Sequence, residues 1–380
     1  MRAIRSREFT SNHIVEGVEQ SLDMTITQLT LHNFRNHINL RMTAGPGFIA
    51  LSGDNGAGKT NILEAVSLLT PGRGLRRAAL SDMANDTGTG DFAVAAKIGD
   101  VQLGTGTSPE SPQRRKTRVN GAAVPTNDLA HWLSILWLTP AMDRLFIEGA
   151  TGRRNFLDRL ITALEPAHAR NCARYDAARR ERNRLLSEEY MPDNEWLDAL
   201  DAQLANFGSA VAETRFRLVG TLNERLSQAD DGLFAAARLE LLDHQLRRED
   251  DLLATLASGR QADRAAGRTL HGPHRTDLHV FHRAKSQAAE KCSTGEQKAL
   301  LFSIILGQAD LIEEQRGGRP ILLLDEVAAH LDPARRAGLF SRLEATGGQI
   351  WLTGTEPELF ANIPSTSLHF EVREGRVTKR

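Results

Sequence analysis

Cysteine is scarce in this chain: Cys172 and Cys292 are the only two among 380 residues. They lie far apart and outside any metal-ligand spacing, which excludes a disulfide scaffold and fits a reducing, cytoplasmic setting. Cys292 is expected to be a packed thiol. Long hydrophobic runs are missing as well. None reaches the ~18 residues that a bilayer-spanning helix needs, so no membrane role is expected. Neither sign of charge is in excess, because 47 Lys and Arg face 48 Asp and Glu. Overall charge therefore draws the chain toward no polyanion, and a nucleic-acid site would have to be a local patch. Aromatic residues are only 5% of the chain, and few lie among its basic runs. Stacking on single-stranded bases is then not expected to dominate. No internal repeat or low-complexity tract is visible. The first 23 residues carry Arg2, Arg5 and Arg7 but no apolar centre, and Glu8, Glu16, Glu19 and Asp23 interrupt them. That excludes a secretory or transit peptide. Residues 1–23 read as a disordered extension, or as an upstream start with Met24 the natural first residue.

What is present is ordinary globular material: 41% hydrophobic and 25% charged residues, enough for a real core. At roughly 150 residues per domain the length implies two or three domains. Strands are predicted over 25–31, 38–42 and 48–51, and a helix over 61–69, stopped by Pro71-Gly72. Residues 91–125 read as short strands with turns, Asn120-Gly121 being a hairpin signal. From 153 to 257 the chain is rich in Ala, Leu, Arg and Glu and predicts four or five helices. Their heptads do not persist, which argues against a long coiled coil. The α/β texture returns near 270, with an amphipathic helix over 294–315 and strands over 321–324 and 349–353. The pattern predicts one α/β domain assembled from both parts of the chain, residues 24–150 and 270–380, with a helical domain inserted at 151–269.

Gly53-Asp54-Asn55-Gly56-Ala57-Gly58-Lys59-Thr60 matches the phosphate-loop pattern without a gap, after a buried strand and at the start of a helix. The glycines let backbone N–H groups turn inward around phosphate oxygens, and the helix N-terminus favours an anion. Lys59 would reach the β- and γ-phosphates of a nucleotide, and Thr60 would give its hydroxyl to Mg²⁺. Ile321-Leu322-Leu323-Leu324-Asp325-Glu326 is an apolar run ending in two acids. Ligands of parallel sheets bind at the carboxyl ends of strands. Asp325 is placed to hold Mg²⁺, and Glu326 to orient or deprotonate an attacking water. The bland alternatives are a glycine turn that binds nothing and a solvated acidic turn; their co-occurrence in one chain weighs against both.

Further strings carry a resemblance. Ser293-Thr294-Gly295-Glu296-Gln297-Lys298 resembles the signature of ABC ATPases, although Ser293 and Glu296 also make a capping box. Ala329-His330-Leu331-Asp332 resembles the D-loop that ends in Asp332. The stretch between Thr60 and Ser293 is too long for an ordinary transporter subunit and too irregular for a long coiled coil. Leu31-His32-Asn33-Phe34-Arg35-Asn36, Pro71-Gly72-Arg73-Gly74-Leu75-Arg76, Arg153-Arg154-Asn155-Phe156-Leu157-Asp158 and Gly272-Pro273-His274-Arg275 are similar, in order, to segments of the RecF family. The resemblance covers residues 25 to about 375. It implies an α/β ABC-ATPase head with an all-helical lobe inserted. It implies ATP and Mg²⁺ as cofactors and a weak, DNA-stimulated ATPase that works as a switch. It further implies an ATP-dependent homodimer in which Ser293, Gly295, Glu296 and Gln297 close the nucleotide of the partner copy. Double-stranded DNA near single-strand junctions is the implied partner, with RecR, and RecO and RecA downstream. Departures exist: Thr276 stands where an acid is expected, no glutamine marks a Q-loop, and Thr355 replaces a switch histidine. The rival readings are an ATPase subunit coupled to transport and a scaffold that binds ATP without hydrolysis.

For DNA, sequence supplies only charge. Arg73, Arg76 and Arg77 cluster after the first helix; Arg114, Arg115, Lys116 and Arg118 form a run read as a hairpin tip. Six arginines stand against two acids over 170–184. Each can neutralise phosphates or be a solvated face of Arg–Glu pairs, and no DNA-binding residue is singled out.

Overall fold

The computed structural model of the chain describes residues 24–188, 193–228, 235–242 and 247–380; the extension read at 1–23 lies outside the described residues. In chain order the strands are β1 (Ile26–Phe34), β2 (His37–Thr43), β3 (Gly47–Ser52), β4 (Ala93–Ile98), β5 (Val101–Ser108), β6 (Ser111–Val119), β7 (Ala122–Ala123) and β8 (Ile135–Leu138). They continue as β9 (Ala237–Leu242), β10 (Asp277–His282), β11 (Gln287–Ala288), β12 (Ile321–Leu324), β13 (Gln349–Gly354), β14 (Leu368–Arg373) and β15 (Arg376–Lys379). The helices are α1 (Lys59–Ser67), α2 (Ala150–Leu164), α3 (Ala167–Leu186), α4 (Asn194–Gln228), α5 (Glu249–Ser258), α6 (Arg260–Ala266), α7 (Thr294–Arg316) and α8 (Pro333–Thr346).

The central sheet runs β15-β14-β3-β13-β12-β8. Its inner strands are parallel, with Trp351 beside Ile49 and Leu323 beside Trp137. Such strands are covered on both faces, and alternate residues enter different cores. Phe48, Ala50, Leu322, Leu324, Ile350 and Leu352 face one core, packed with α2, α7, α8 and the second half of α4. Ile49, Leu51, Ile321, Leu323 and Trp351 face the other, packed with α1 and a second sheet. That sheet, β2-β1-β4-β5-β6-β7, is antiparallel throughout. Leu29, Leu31, Val94, Ala96 and Leu103 point inward from it. The Asn120-Gly121 turn is as predicted, with both residues at positive φ.

Three expectations are corrected. The insert is not all-helical, because β9 pairs with β10 in a small sheet ordered β11-β10-β9. Nor does the insert pack as a unit. Phe156, Leu157 and Leu160 of α2 and Leu218, Leu222 and Leu226 of α4 belong to the head's own core. Only α3, α5 and the first half of α4 share a separate cluster, built on Tyr175, Ala178, Leu204, Ala205, Leu252 and Leu256. Finally, α7 is buried on nearly all sides rather than amphipathic, as Leu300, Leu301, Phe302, Ile304, Ile305 and Leu306 all lie inside. The reason is position: it runs between the sheet and helices α2 and α4.

Candidate nucleotide site

The loop between β3 and α1 bends as its glycines require. Gly53, Gly56 and Gly58 have φ of 147°, 83° and 115°. A Cβ on Gly53 would stand 2.1 Å from the Val372 carbonyl oxygen of β14, and one on Gly58 would stand 2.6 Å from the Asn36 side chain. Gly58 caps α1 without a side-chain bond, and no acid lies in the first turn. The first N–H groups of the helix are thus left to an anion. The Lys59 ammonium donates to the carbonyl oxygens of Gly53 at 2.6 Å and Asp54 at 2.8 Å, spanning the loop. Burial lowers its pKa, against the pull of Glu326, Asp325 and Asp54.

Parallel pairing of β12 brings the two acids beside this loop. Thr60 Oγ1 donates to Asp325 Oδ1 at 2.8 Å, and Thr353 Oγ1 donates to the same oxygen at 2.8 Å. Burial raises the Asp325 pKa. A divalent cation would reverse that shift. The hydroxyl of Thr60 and the carboxylate of Asp325 are a hard oxygen pair of the kind Mg²⁺ takes. Glu326 sits at φ 53°, and its N–H donates to Thr353 Oγ1 at 2.8 Å. Its side chain opens into a small cleft shared with Pro140, Asp143 and Lys298.

Several supports were not singled out from the sequence. The turn after β1 clamps the loop: Asn36 Nδ2 donates to Ala57 O at 2.9 Å, and His37 lies between Gly375 O at 2.7 Å and Gly58 O at 3.1 Å. Behind α1, Glu64 is fully buried and takes two bonds from Arg35, at 2.8 and 2.9 Å, and one from Arg76 at 2.8 Å. The available signal was Glu64 itself, an acid on the apolar face of a helix, which needs a buried cation.

Helix α7, which begins at the residues read as a signature, is capped as the capping-box pattern requires. Glu296 Oε2 accepts from the Ser293 N–H at 2.8 Å, and the Glu296 N–H bonds back to Ser293 Oγ. Lys285 and Ser293 hold the Glu296 carboxyl down, at a pKa of about 2. Ser293 is exposed and Gly295 half-buried. Gln297 turns inward instead and donates to Cys292 O at 3.0 Å. It supports the turn rather than facing a ligand. Asp332 caps α8 by accepting from the Arg335 N–H at 2.9 Å. Among the described residues, no bond joins residues 293–297 to residues 53–60.

The basic runs are largely committed. Arg115 donates to the carbonyl groups of Leu68, Thr70 and Gly72. Arg182 is fully buried between Asp201 and Asp263, and Arg179 and Arg184 pair with nearby acids. Residues 114–118 form the body of β6, not a hairpin tip. Alternation leaves Arg114, Lys116 and Arg118 on the exposed face of the second sheet. By register that face continues through Gly104, Ala95 and Thr30 to Arg41, with Lys97 and His32 on the same side. Among the described residues its strands carry no carboxylate there, while Glu110, in the turn before β6, lies close enough to Lys116 and Asp91 to feel both charges. Asp158, His168 and Cys172 bring ligand atoms within 4.8 Å of one another. Both oxygens of Asp158 already accept from Arg215, at 2.8 and 2.7 Å, so a cation there would sit against a guanidinium.

The RecF/RecN/SMC N-terminal domain family matches residues 25–378. The chain is 47% identical to the DNA replication and repair protein RecF of Brucella suis biovar 1, over 93% of this chain and 96% of that one. It is 48% identical to that of Mesorhizobium japonicum, over 93% and 97%. In fold it is similar to a solved structure of the recombination mediator protein RecF-ATPrS in the RecFOR pathway. The TM-score is 0.82 at 22% identity, over 95% of this chain and all of that one. It is also similar to an SMC head bound to the C-terminal winged-helix domain of ScpA, at TM-score 0.54 and 17% identity. No helix among the described residues is long and apolar enough to cross a membrane. With a glycine-rich loop, an acidic strand end and a capped helix α7 set on this fold, and with such relatives across nearly its whole length, the chain belongs to the RecF family of DNA replication and repair proteins.

Proposed function

We propose that the chain is an ATP-driven clamp on duplex DNA, a switch that closes as a homodimer when ATP is bound and reopens on slow hydrolysis. The observation that carries this reading is the separation of two well-formed half-sites in one chain. The phosphate loop and acid pair are assembled and partly buried; Ser293 and the first N–H groups of α7 are formed, capped and turned to solvent. An exposed helix N-terminus whose serine hydroxyl bonds only within its own first turn, to Glu296, suits a γ-phosphate held by a second copy, toward which that hydroxyl would turn. Family membership does not favour the transport-coupled alternative.

In this reading Lys59 holds the β- and γ-phosphates, and Thr60 and Asp325 hold Mg²⁺, which would neutralise charge on the phosphates. Glu326 orients the attacking water, its backbone fixed by Thr353. Asp332, at the start of α8, faces the partner copy. Duplex DNA is met by the basic sheet face of Arg41, Lys97, Arg114, Lys116 and Arg118, which can exchange counterions with phosphates. RecR, and RecO and RecA after it, are the proposed partners in recombinase loading.

The decisive experiment is light scattering with ATP on Glu326→Gln, set beside Lys59→Ala. Glu326→Gln should retain ATP and persist as a dimer, while Lys59→Ala should bind no ATP and remain monomeric. A Glu326→Gln protein that holds ATP yet stays monomeric would reject closure. Replacing Arg114, Lys116 and Arg118 together with Ala should weaken duplex binding and lower the salt slope by about 3. An unchanged slope would place DNA elsewhere.

A further inference from the structure

A cleft of about 520 Å³ lies between the loop that follows α1, strand β8 and helices α2 and α3. Arg73, Arg77 and Arg159 all line it. Arg159 is the unusual member. Its guanidinium lies 4.2 Å from the centre of the Trp137 ring and 5.3 Å from that of Phe156. Among the described residues its bonds go only to neutral atoms, the Trp137 carbonyl at 3.2 Å and the Met142 sulfur at 3.6 Å, and its buried Nε has no partner there. Burial, and after it the charge of Arg77, pushes its pKa down to about 9. A buried cation is normally matched by a carboxylate, yet among the described residues none pairs with Arg159.

Two acids do line the cleft, Glu148 and Asp158, and both are engaged. Glu148 lies 3.8 Å from Arg144. Asp158 is taken by Arg215 and by His168 at 2.9 Å. The loop carrying Arg73 and Arg77 is itself anchored, through the three carbonyl bonds of Arg115 and the bond from the Leu75 N–H to Ser67 Oγ at 2.8 Å. It ends with Arg77 at φ 56°, a left-handed conformation that non-glycine residues rarely adopt. The other walls are apolar, with Leu133, Ile135, Met142 and Leu145 among them. The cleft thus joins to an apolar floor three guanidinium groups that pair with no acid among the described residues.

We propose that this cleft is a second anion site, separate from the phosphate loop, which takes a phosphate group attached to a compact, partly apolar body. Arg159 meets the phosphate from the floor, and Arg73 and Arg77 meet it from the mouth. Guanidinium forks match phosphate geometry, and a water-poor floor strengthens each contact. The phosphate can belong to a small metabolite or to nucleic acid.

Inorganic pyrophosphate, titrated calorimetrically into the full-length Lys59→Ala protein, tests this with the phosphate loop disabled. Saturable binding is expected, weakened about tenfold or more by Arg159→Met and by Arg77→Gln. Arg77 is exposed, so its replacement leaves the core intact and guards against a misfolded Arg159 variant. A short duplex is then added as competitor. Displacement of pyrophosphate by DNA would assign the phosphate to nucleic acid, and no displacement would assign it to a small ligand. Absence of saturable binding to Lys59→Ala, or binding that both arginine variants leave unchanged, would overturn the proposal.

Discussion

Single residues explain why this site tolerates little change, and one of them gives the molecule an acid limit. His274 has both ring nitrogens satisfied in its neutral form: Nε2 faces the Thr269 carbonyl at 2.9 Å, and Nδ1 faces the Tyr175 hydroxyl at 2.6 Å. Burial first, then Arg179, Arg275 and Arg154, depresses its pKa to about 4, while the Thr269 bond opposes the shift. Below the unfolded value of about 6.5 the unfolded chain binds the proton and the folded one does not. Stability should therefore be full above pH 6.5 and decline by roughly 2 to 3 kcal/mol as pH falls to about 4. Urea titrations of the native protein and His274→Gln should diverge across that window; parallel curves would refute the assignment. At Gly53 the constraint is steric. Gly53→Ala should abolish nucleotide binding in a filter assay, since its Cβ would meet backbone of β14 rather than a movable side chain. The loop was legible in the sequence because Gly53, Gly56 and Gly58 each take a positive φ, which is a demand of the local backbone. Asn36, His37 and Thr353 were not, because their importance arises from contacts between distant parts of the chain.

Among the elements, the capped helix and the overlooked strand are the most informative. Ser293 is both a cap and the proposed partner-facing group, and these roles can be separated. Ser293→Ala should cost about 1 kcal/mol as a lost N-cap yet abolish ATP-dependent dimerisation in analytical ultracentrifugation. A variant that keeps dimerising would leave the cap as its sole role. Strand β9 was hidden by composition. Its Arg and Glu read as helical, although Ala237, Leu239 and Leu241 are buried in alternation with exposed Arg238, Glu240 and Leu242. Its outer edge is closed by a side chain: Asn223 of α4 donates to the Leu239 carbonyl and accepts from its N–H, both at 2.8 Å. Asn223→Leu should strip both bonds and cost about 1 to 3 kcal/mol in thermal unfolding. An unchanged midpoint would show that water replaces the amide. The buried strands β3, β12 and β13 were read directly, since three or four β-prone apolar residues in a row, set between turn signals, admit few other uses. The basic runs could not be read, because a string of arginines does not reveal which ones already have partners.

At the scale of the whole molecule, the separate cluster around Tyr175 and Leu252 makes the outer helices a unit of their own. Arg182 is its keystone, bonded to Asp201 and Asp263, each at 2.6 Å, and to the Leu256 carbonyl at 3.0 Å. Arg182→Ala would leave the buried Asp263 carboxylate without its cation, while Asp201 keeps Arg260, at a cost of about 3 to 5 kcal/mol. Hydrogen exchange should then quicken in α3 and α5 while β3 and β12 keep their protection; uniform loss would mean one cooperative unit. The central sheet has a different consequence. Strand β3 lies between β13 and β14, both from late in the sequence, and Gln349 reaches back to the backbone of Ile26 across 323 positions. A ribosome making this protein will have extruded the phosphate loop long before either neighbouring strand exists. The nascent head must keep its apolar centre unpaired through most of translation, so chaperone occupancy should be prolonged and the first nucleotide admitted only once synthesis is nearly complete.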